Sequence, residues 1–273
     1  MTIPQPPVDR FDRIWAGWAE LTAKEDRIAQ HREDRERFLR ALKEAIPRLP
    51  LPCVLEVGCG SAIDLGLLAR QTLGLTLVGL DISLAGLGVA RAFARHLEAR
   101  MAVCCGDVLA LPLRAACAGL VFSQGLIEHF REPADAVREQ ARTLAPGGIL
   151  VVSVPQTFTG YTLHKRRAMR DGTWPWGWEG DFTARRLARL GREQGLELLR
   201  VFGYQYWRSW GEPAWVLRDL WGKVQRRNPL AVAFPFPHIT RLYDGAWNWL
   251  ERWYGHLFLQ NVVAVFRKPI GLP

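Results

Sequence analysis

No apolar run in this 273-residue chain approaches the ~18 residues needed to cross a bilayer. Its first residues, MTIPQPPVDRFDR, lack the hydrophobic centre of a secretion signal. Both absences lead to the expectation of a cytoplasmic protein. Cysteine is sparse: Cys53, Cys59, Cys104, Cys105 and Cys117 form no C-x-x-C pair and no Cys/His spacing of a zinc site. Buried free thiols are therefore expected, without a disulfide framework. Acidic residues are scarce in one part only. Residues 1–155 carry 18 basic and 18 acidic side chains, whereas residues 156–273 carry 18 and 9, so the net charge of +9 lies wholly in the second part. Ten of the 12 tryptophans also fall from position 174 onward. A basic, aromatic surface suits an anionic headgroup, a membrane surface or a nucleic acid. Yet 31 of the 36 basic residues are arginine, which points to composition, and tryptophan also fills cores. Both explanations stay open.

What is present is the alternation of an α/β fold. Residues 8–46 read as helix, with Phe11, Ile14, Trp15, Trp18 and Leu21 at helical spacing, until Pro47, Pro50 and Pro52 stop it. Apolar runs then alternate with helix-like segments: CVLEVG, LTLVGLD, MAVCCGD, AGLVFSQ and GGILVVSVP are separated by SAIDLGLLARQT, LAGLGVARAFARHLEA and EPADAVREQARTLA. Strands apolar on successive residues are covered on both faces, which implies a doubly wound, Rossmann-like, mostly parallel sheet. Beyond Pro155, a helix FTARRLARLGREQG precedes LELLRVFGYQYW, and QNVVAVFRK closes the chain. These two runs are expected to form an antiparallel last strand pair. The expected organisation is a helical N-terminal extension at 1–50, a core at 51–206, a Trp/Arg-rich insertion or cover at 207–256, and the final strand with its tail at 257–273.

The segment VLEVGCGSAIDLG, residues 54–66, decides the ligand class. A dinucleotide loop reads G-x-G-x-x-G; here Gly58 and Gly60 fit but Ile63 takes the third place, and no G-K-[ST] follows for a P-loop. Glu56 weighs more, because a carboxylate ~4 Å from a phosphate charge repels it by about 4 kcal/mol at an effective dielectric near 20. A cationic, phosphate-free nucleoside reverses that sign, and S-adenosylmethionine is one. VLEVGCGSA resembles the first motif of the class I S-adenosylmethionine-dependent methyltransferases, and the resemblance runs from about Val54 to Pro155. It implies that Gly58 and Gly60, with Cys59 between them, hold the methionine part and that Glu56 meets its amino group. Asp81, which ends LVGLD 21 residues after Gly60, would take the ribose hydroxyls, with Ile82 beside it. Asp107 in CCGDVLALPL would receive the adenine amino group, with the Val108 N–H at the ring. Gln124 closes the fourth strand as a further candidate contact. Two positions depart from the family pattern: Ala62 stands where glycine is common, and Ala118-Gly119 replace an aspartate that usually opens the fourth strand.

Methyl transfer is an in-line displacement that needs a base only if the acceptor atom carries a proton to lose. His129, in IEHF after the fourth strand, is the candidate base; it also reads as a structural histidine that hydrogen-bonds the sheet edge. Glu128-His129 resemble part of a metal-holding pair of some quinone O-methyltransferases, but Gly125 stands upstream, so no metal is expected. The segment after the fifth strand is where the family builds its acceptor pocket, and Tyr161, His164, Lys165 and Trp178 are the candidate lining residues. SQGL stands where base N-methyltransferases have [N/D/S]-P-P-[Y/F/W], and no nucleophilic cysteine lies there, so a nucleic-acid acceptor is disfavoured. The expected activity is methyl transfer to a small or amphipathic acceptor, on oxygen of a lipid, quinone-like ring, natural product or glycolipid. Peripheral contact with the inner membrane face through the basic part accompanies this reading. A donor-binding sensor without catalysis and an RNA methyltransferase are the alternatives.

Overall fold

Each apolar run after Pro52 becomes a strand because its alternate side chains are covered from both sides. The computed structural model describes residues 8–18, 35–204, 249, 253–257 and 259–271. Its sheet contains β1 (Cys53–Val57), β2 (Thr76–Asp81), β3 (Ala102–Cys105), β4 (Ala118–Gln124), β5 (Leu144–Pro155), β6 (Glu197–Tyr204) and β7 (Asn261–Arg267). The strand order is β3-β2-β1-β4-β5-β7-β6; the first five strands run parallel, and β7 lies antiparallel between β5 and β6. The antiparallel end pair is thus as expected, with the last strand inside the sheet and β6 at its edge.

The helices are α1 (Val8–Trp18), α2 (Glu36–Ala45), α3 (Ile63–Ala69), α4 (Leu84–His96), α5 (Pro133–Thr143), α6 (Gly160–Arg170) and α7 (Ala184–Glu193). Val54, Leu120, Phe122 and Val151 point to one face of the sheet, where they meet Phe38, Leu65, Leu87 and Phe93 of α2, α3 and α4. Leu55, Val57, Val121 and Val152 point to the other, against Val137 of α5 and Leu187 and Leu190 of α7. Phe38 is fully buried, stacks on Tyr204 at 5.3 Å and meets Phe122 at 6.0 Å. Burying such a ring is worth ~1.5–3 kcal/mol, which fastens α2 across β4 and β6.

The expected helix over 8–46 is represented by α1 and α2; residues 19–34 lie outside the described residues. A single 3-10 turn at Ile46–Arg48 containing Pro47 ends α2. The strand β5 starts earlier than GGILVVSVP, since Leu144 already pairs with Ala118 of β4, and Gly147 and Gly148 exchange bonds with Lys268 that prolong the pairing with residue 268. Helix α6 is an addition to the sequence reading. The opening of β4 has a steric reason: a Cβ on Gly119 would stand 2.1 Å from the Leu51 carbonyl oxygen, so the backbone before β1 passes where a side chain would be. All five cysteines are free; Cys59 is buried and Cys105 is exposed, contrary to the general expectation of buried thiols. Among the described residues no helix is long and apolar enough to cross a membrane. The Trp/Arg-rich insertion expected at 207–256 lies almost wholly outside the described residues.

Candidate active site

The strand order reverses between β1 and β4, and in open α/β sheets ligands bind outside the strand C-termini at such a point. A cavity of about 330 Å3 lies there, within the ~300–1,000 Å3 range of small-molecule sites. Its floor is the turn after β1. Gly58 N and Cys59 N donate to Leu80 O at 2.8 and 3.0 Å, which pins the turn to the tip of β2. Gly58 and Gly60 have φ of 69° and 47°, a region that favours glycine. Ala62 holds φ 49° immediately before α3, so the alanine carries a strain that the commoner glycine would not.

Asp81 ends β2 with its carboxylate turned to the same turn: Gly60 N donates to one oxygen at 2.7 Å and Ser83 N to the other at 2.8 Å. Burial raises its pKa despite these bonds. Asp107 follows β3 and accepts from Leu109 N at 2.9 Å. Glu56 is 4% exposed on the cavity wall, and its Oε2 has no hydrogen-bond partner. Burial, reinforced by Asp64, pushes its pKa well up, while Arg35 opposes the shift.

Arg35, just before α2, is a site residue that the sequence reading did not single out. It donates through Nη1 to Asp64 Oδ2 at 2.5 Å and to Gln124 Oε1. Gln124 in turn donates to Tyr204 OH, which shares a 2.9 Å hydrogen bond with Ser153 Oγ. The chain Arg35–Gln124–Tyr204–Ser153 ties β4, β5 and β6 to the cavity floor and places a guanidinium near Glu56. In sequence, Arg35 is one charge among many in HREDRERF, with nothing to distinguish it.

Helix α1 forms the roof. Asp12 Oδ1 accepts from Ser83 Oγ at 2.6 Å and Ala85 N at 3.1 Å, latching α1 to the N-terminus of α4. The Trp15 indole then lies over Gly60 and Gly86; a Cβ on Gly60 would stand 2.1 Å from the ring. Phe11 and Trp15 both line the cavity.

The far end is built from the exit of β4 and the segment after α6. Glu128 is 2% exposed, with Oε2 unpartnered. Burial, then the neighbouring Glu179, raises its pKa to about 8. His129 is 9% exposed, with Nδ1 unpartnered, and burial lowers its pKa. Phe11 meets the His129 ring edge-on at 5.3 Å, and Trp176 lies 6.4 Å from it.

Of the candidates named from sequence, Glu56, Gly58, Cys59, Asp81, Ile82, Asp107, Val108, Gln124, His129 and Tyr161 line this one cavity, and Gly60 lies beneath Trp15. Three others do not reach it. Lys165 is fully buried, with Nζ 3.4 Å from Glu179 Oε2 and 3.3 Å from both Asp181 Oδ1 and Gly180 O; it is an internal tie. His164 is exposed and packs edge-on against Trp174 at 6.2 Å. Trp178 is partly exposed beneath the Arg131 guanidinium, 4.2 Å from its ring centroid. Trp176 and Glu179 take the wall positions instead. No group of three or more metal-ligating side chains suited to an ion occurs among the described residues.

A seven-stranded sheet with this reversal, and an acidic nucleoside crevice at its tips, define a class I S-adenosylmethionine-dependent methyltransferase fold. Residues 55–152 match the family model described as a methyltransferase domain. Residues 55–152 thus form a methyltransferase domain of the kind that uses S-adenosylmethionine as cofactor. It is 31% identical over 160 residues to a malonyl-[acyl-carrier protein] O-methyltransferase of Herminiimonas arsenicoxydans, covering 59% of this chain and 56% of that protein. A trans-aconitate 2-methyltransferase of Azoarcus sp. is 28% identical over 140 residues, covering 50% and 52%. The chain spans about half the length of the curated relatives it matches. A putative sarcosine dimethylglycine methyltransferase from Galdieria sulphuraria shares the fold at a TM-score of 0.57 and 18% identity, covering 91% of this chain and 89% of that one.

The residues present fit this cofactor. The orphaned Glu56 oxygen needs a cationic donor, the backbone at Gly58 and Gly60 permits close approach, and Asp81 and Asp107 offer acceptors at successive strand tips.

Proposed function

We propose that this protein transfers the methyl group of S-adenosylmethionine to a small or amphipathic acceptor. The observation that carries the reading is the buried, unpartnered Glu56 carboxyl on the floor of the cavity, with Asp81 and Asp107 on the adjoining strand tips. A pyrophosphate would meet these acids with Arg35 and His129 as the wall's basic side chains among the described residues, which disfavours dinucleotides and phosphate-rich acceptors.

When bound, the sulfonium supplies an activated methyl group for in-line displacement. The chain's own residues position and shield. Glu56 and Arg35 would hold the ammonium and carboxylate of the methionine part, Asp81 the ribose, and Asp107 with Val108 the adenine. Phe11 and Trp15 of α1 exclude water from above, and Glu128 and His129 stand where an acceptor proton would leave. Good near-attack geometry is worth ~7–11 kcal/mol, so positioning supplies most of what the fold must provide.

Two of the relatives are named for malonyl-[acyl-carrier protein] and trans-aconitate, which supports a non-nucleic-acid acceptor here without fixing it. The sequence expectation of oxygen as the methylated atom rests on no residue of the cavity. Peripheral contact with an anionic membrane is supported by exposed Trp249, Trp253, Tyr254 and Leu257 near the chain's basic part. Flotation with anionic vesicles checks it; no association refutes it.

The test of the activity is transfer of labelled methyl groups in cell lysate by the wild type and Asp81→Ala. Label in the small-molecule or lipid fraction with wild type alone is the expected result. Tight donor binding without transfer would make the protein a sensor, and label in RNA would make it an RNA methyltransferase; either outcome overturns the proposal.

A further inference from the structure

The far end of the cavity is richer in unpaired hydrogen-bond acceptors than the donor site requires. Glu128 Oε2 and His129 Nδ1 are buried, line the cavity and have no partner. Glu179 also lines it; Trp174 Nε1 donates to its Oε1 at 2.8 Å, and its Oε2 has only the oblique approach of Lys165. Lys165 does not neutralise the group as a whole, because its ammonium is shared between Glu179 and Asp181, with Gly180 O as third contact. Glu128 is left without a counterion of its own. Around these groups stand the rings of Phe11, Tyr161 and Trp176, whose faces attract cations. A buried acid is retained at such a cost when a ligand supplies the opposite charge.

Resting on the proposed methyl transfer, we infer that Glu128, with Glu179 and His129 beside it, is the recognition site for an acceptor that arrives as an ammonium ion. The atom methylated is then an amine nitrogen carried on an apolar or aromatic body. A hydroxyl donates one hydrogen bond, whereas an ammonium donates several and carries the charge that offsets the buried Glu128 carboxylate. A carboxylate acceptor would meet two carboxyls and, among the described residues lining this part of the wall, no free cation.

The step balances. The ammonium binds to ionised Glu128, and one N–H proton passes to Oε2, leaving a neutral amine. Its lone pair attacks the methyl carbon, the new N–C bond forms as the C–S bond breaks, and the electron pair of that bond stays on sulfur. The product is a methylated ammonium with neutral S-adenosylhomocysteine, and the Glu128 proton leaves to solvent on turnover.

Burial and the neighbouring Glu179 push the pKa of the Glu128 carboxyl up to about 8. An ammonium ligand must displace the carboxyl proton, so binding near neutral pH releases it and tightens as pH rises toward that value. The other titratable or charged groups around Glu128 are Glu179 and Asp181, Lys165 and Tyr161 of α6, His129, and Arg10 of α1, whose guanidinium lies against Gly177.

The experiment is calorimetry on the full chain saturated with S-adenosylhomocysteine, near neutral pH and in buffers of different ionisation enthalpy. The probes are 2-phenylethylammonium, 2-phenylethanol and phenylacetate. The expected result is that the ammonium binds at least ~tenfold tighter than the alcohol, about 1.4 kcal/mol, that phenylacetate gives no heat, and that proton release accompanies the ammonium. Glu128→Gln is expected to abolish both selectivity and proton release while S-adenosylhomocysteine affinity stays within ~twofold. Equal binding of the alcohol or the acid, no binding of the ammonium, or proton release that persists in Glu128→Gln overturns the inference. Proton release is read on the wild type alone, so a variant that fails to fold leaves the test standing. If S-adenosylhomocysteine itself does not bind, the donor reading falls instead.

Discussion

Replacing Glu56 by Gln separates two opposite effects of one side chain. In the unliganded protein Glu56 is 4% exposed with one oxygen unpartnered, and such a group costs ~1–3 kcal/mol. Burial and Asp64 raise its pKa. Between the ordinary carboxyl value and the raised one, the folded protein holds a proton that the unfolded chain releases, so stability declines as pH rises through that window. Glu56→Gln removes this contribution, and the unliganded variant is expected to unfold at a higher temperature than wild type near pH 8, with a flatter pH dependence. Glu128, whose pKa is raised to about 8 for the same reason, keeps part of the slope. Ligand binding should change in the other direction. A hydrogen bond to a charged group is worth ~1.5–3 kcal/mol, so losing the carboxylate opposite the ligand's ammonium weakens S-adenosylhomocysteine by ~10- to 150-fold. Thermal unfolding with and without S-adenosylhomocysteine, across pH 5–8, reads both effects together with calorimetric Kd. A variant that binds S-adenosylhomocysteine within ~twofold of wild type refutes the role given to Glu56.

Three further outcomes are expected. Asp12→Ala removes the latch between α1 and α4; at ~1 kcal/mol for a cap-like contact, S-adenosylhomocysteine affinity drops ~fivefold, and the Ala85 amide exchanges faster with deuterium. Unchanged exchange would refute the latch. Lys165→Met leaves Glu179 and Asp181 without their shared cation, which costs ~3–5 kcal/mol and lowers Tm by roughly 10 °C. A variant with unaltered Tm but a raised acceptor KM would restore the lining role read from sequence. Gly60→Ala drives a Cβ to 2.1 Å from the Trp15 ring at φ 47°, so ligand affinity is expected to fall more than tenfold. A Trp15→Ala, Gly60→Ala double variant that recovers only part of the loss would separate the steric term from the backbone term.

The central strands were legible because a strand buried on both faces announces itself as an unbroken apolar run; AGLVFSQ coincides with β4 from end to end. The acids at the tips of β1 and β2 and after β3 were legible because VLEVGCGSA, LVGLD and CCGDVLALPL resemble the family's motifs and each places an acid where a strand run ends. Helix α6 was not. Its buried residues, Thr162, Lys165 and Ala168, recur every three positions, but none carries a large apolar side chain, so the period is present without the hydrophobicity that makes it visible. The same cause placed Lys165 wrongly: a buried lysine looks like a surface one until its two carboxylate partners, 14 and 16 residues on, are brought to it. In TWPWGW every second residue is tryptophan, and sequence alone could not say that Trp176 faces the cavity while Trp178 lies under Arg131. Arg35 was hidden for a third reason, since its role depends on the crossing of α2 over β4 rather than on any local pattern.

The position of β7 between β5 and β6 has a consequence for biosynthesis. The five parallel strands are complete once Pro155 has been made, yet β5 then presents an open edge, and β6 has no place to dock until residues 261–267 emerge. A ribosome must therefore deliver more than a hundred further residues before the sheet can be joined, and deletions near the carboxyl end would strike its middle rather than its margin. Nascent chains halted between those two points should be the most protease-sensitive and the most inclined to associate through that waiting edge.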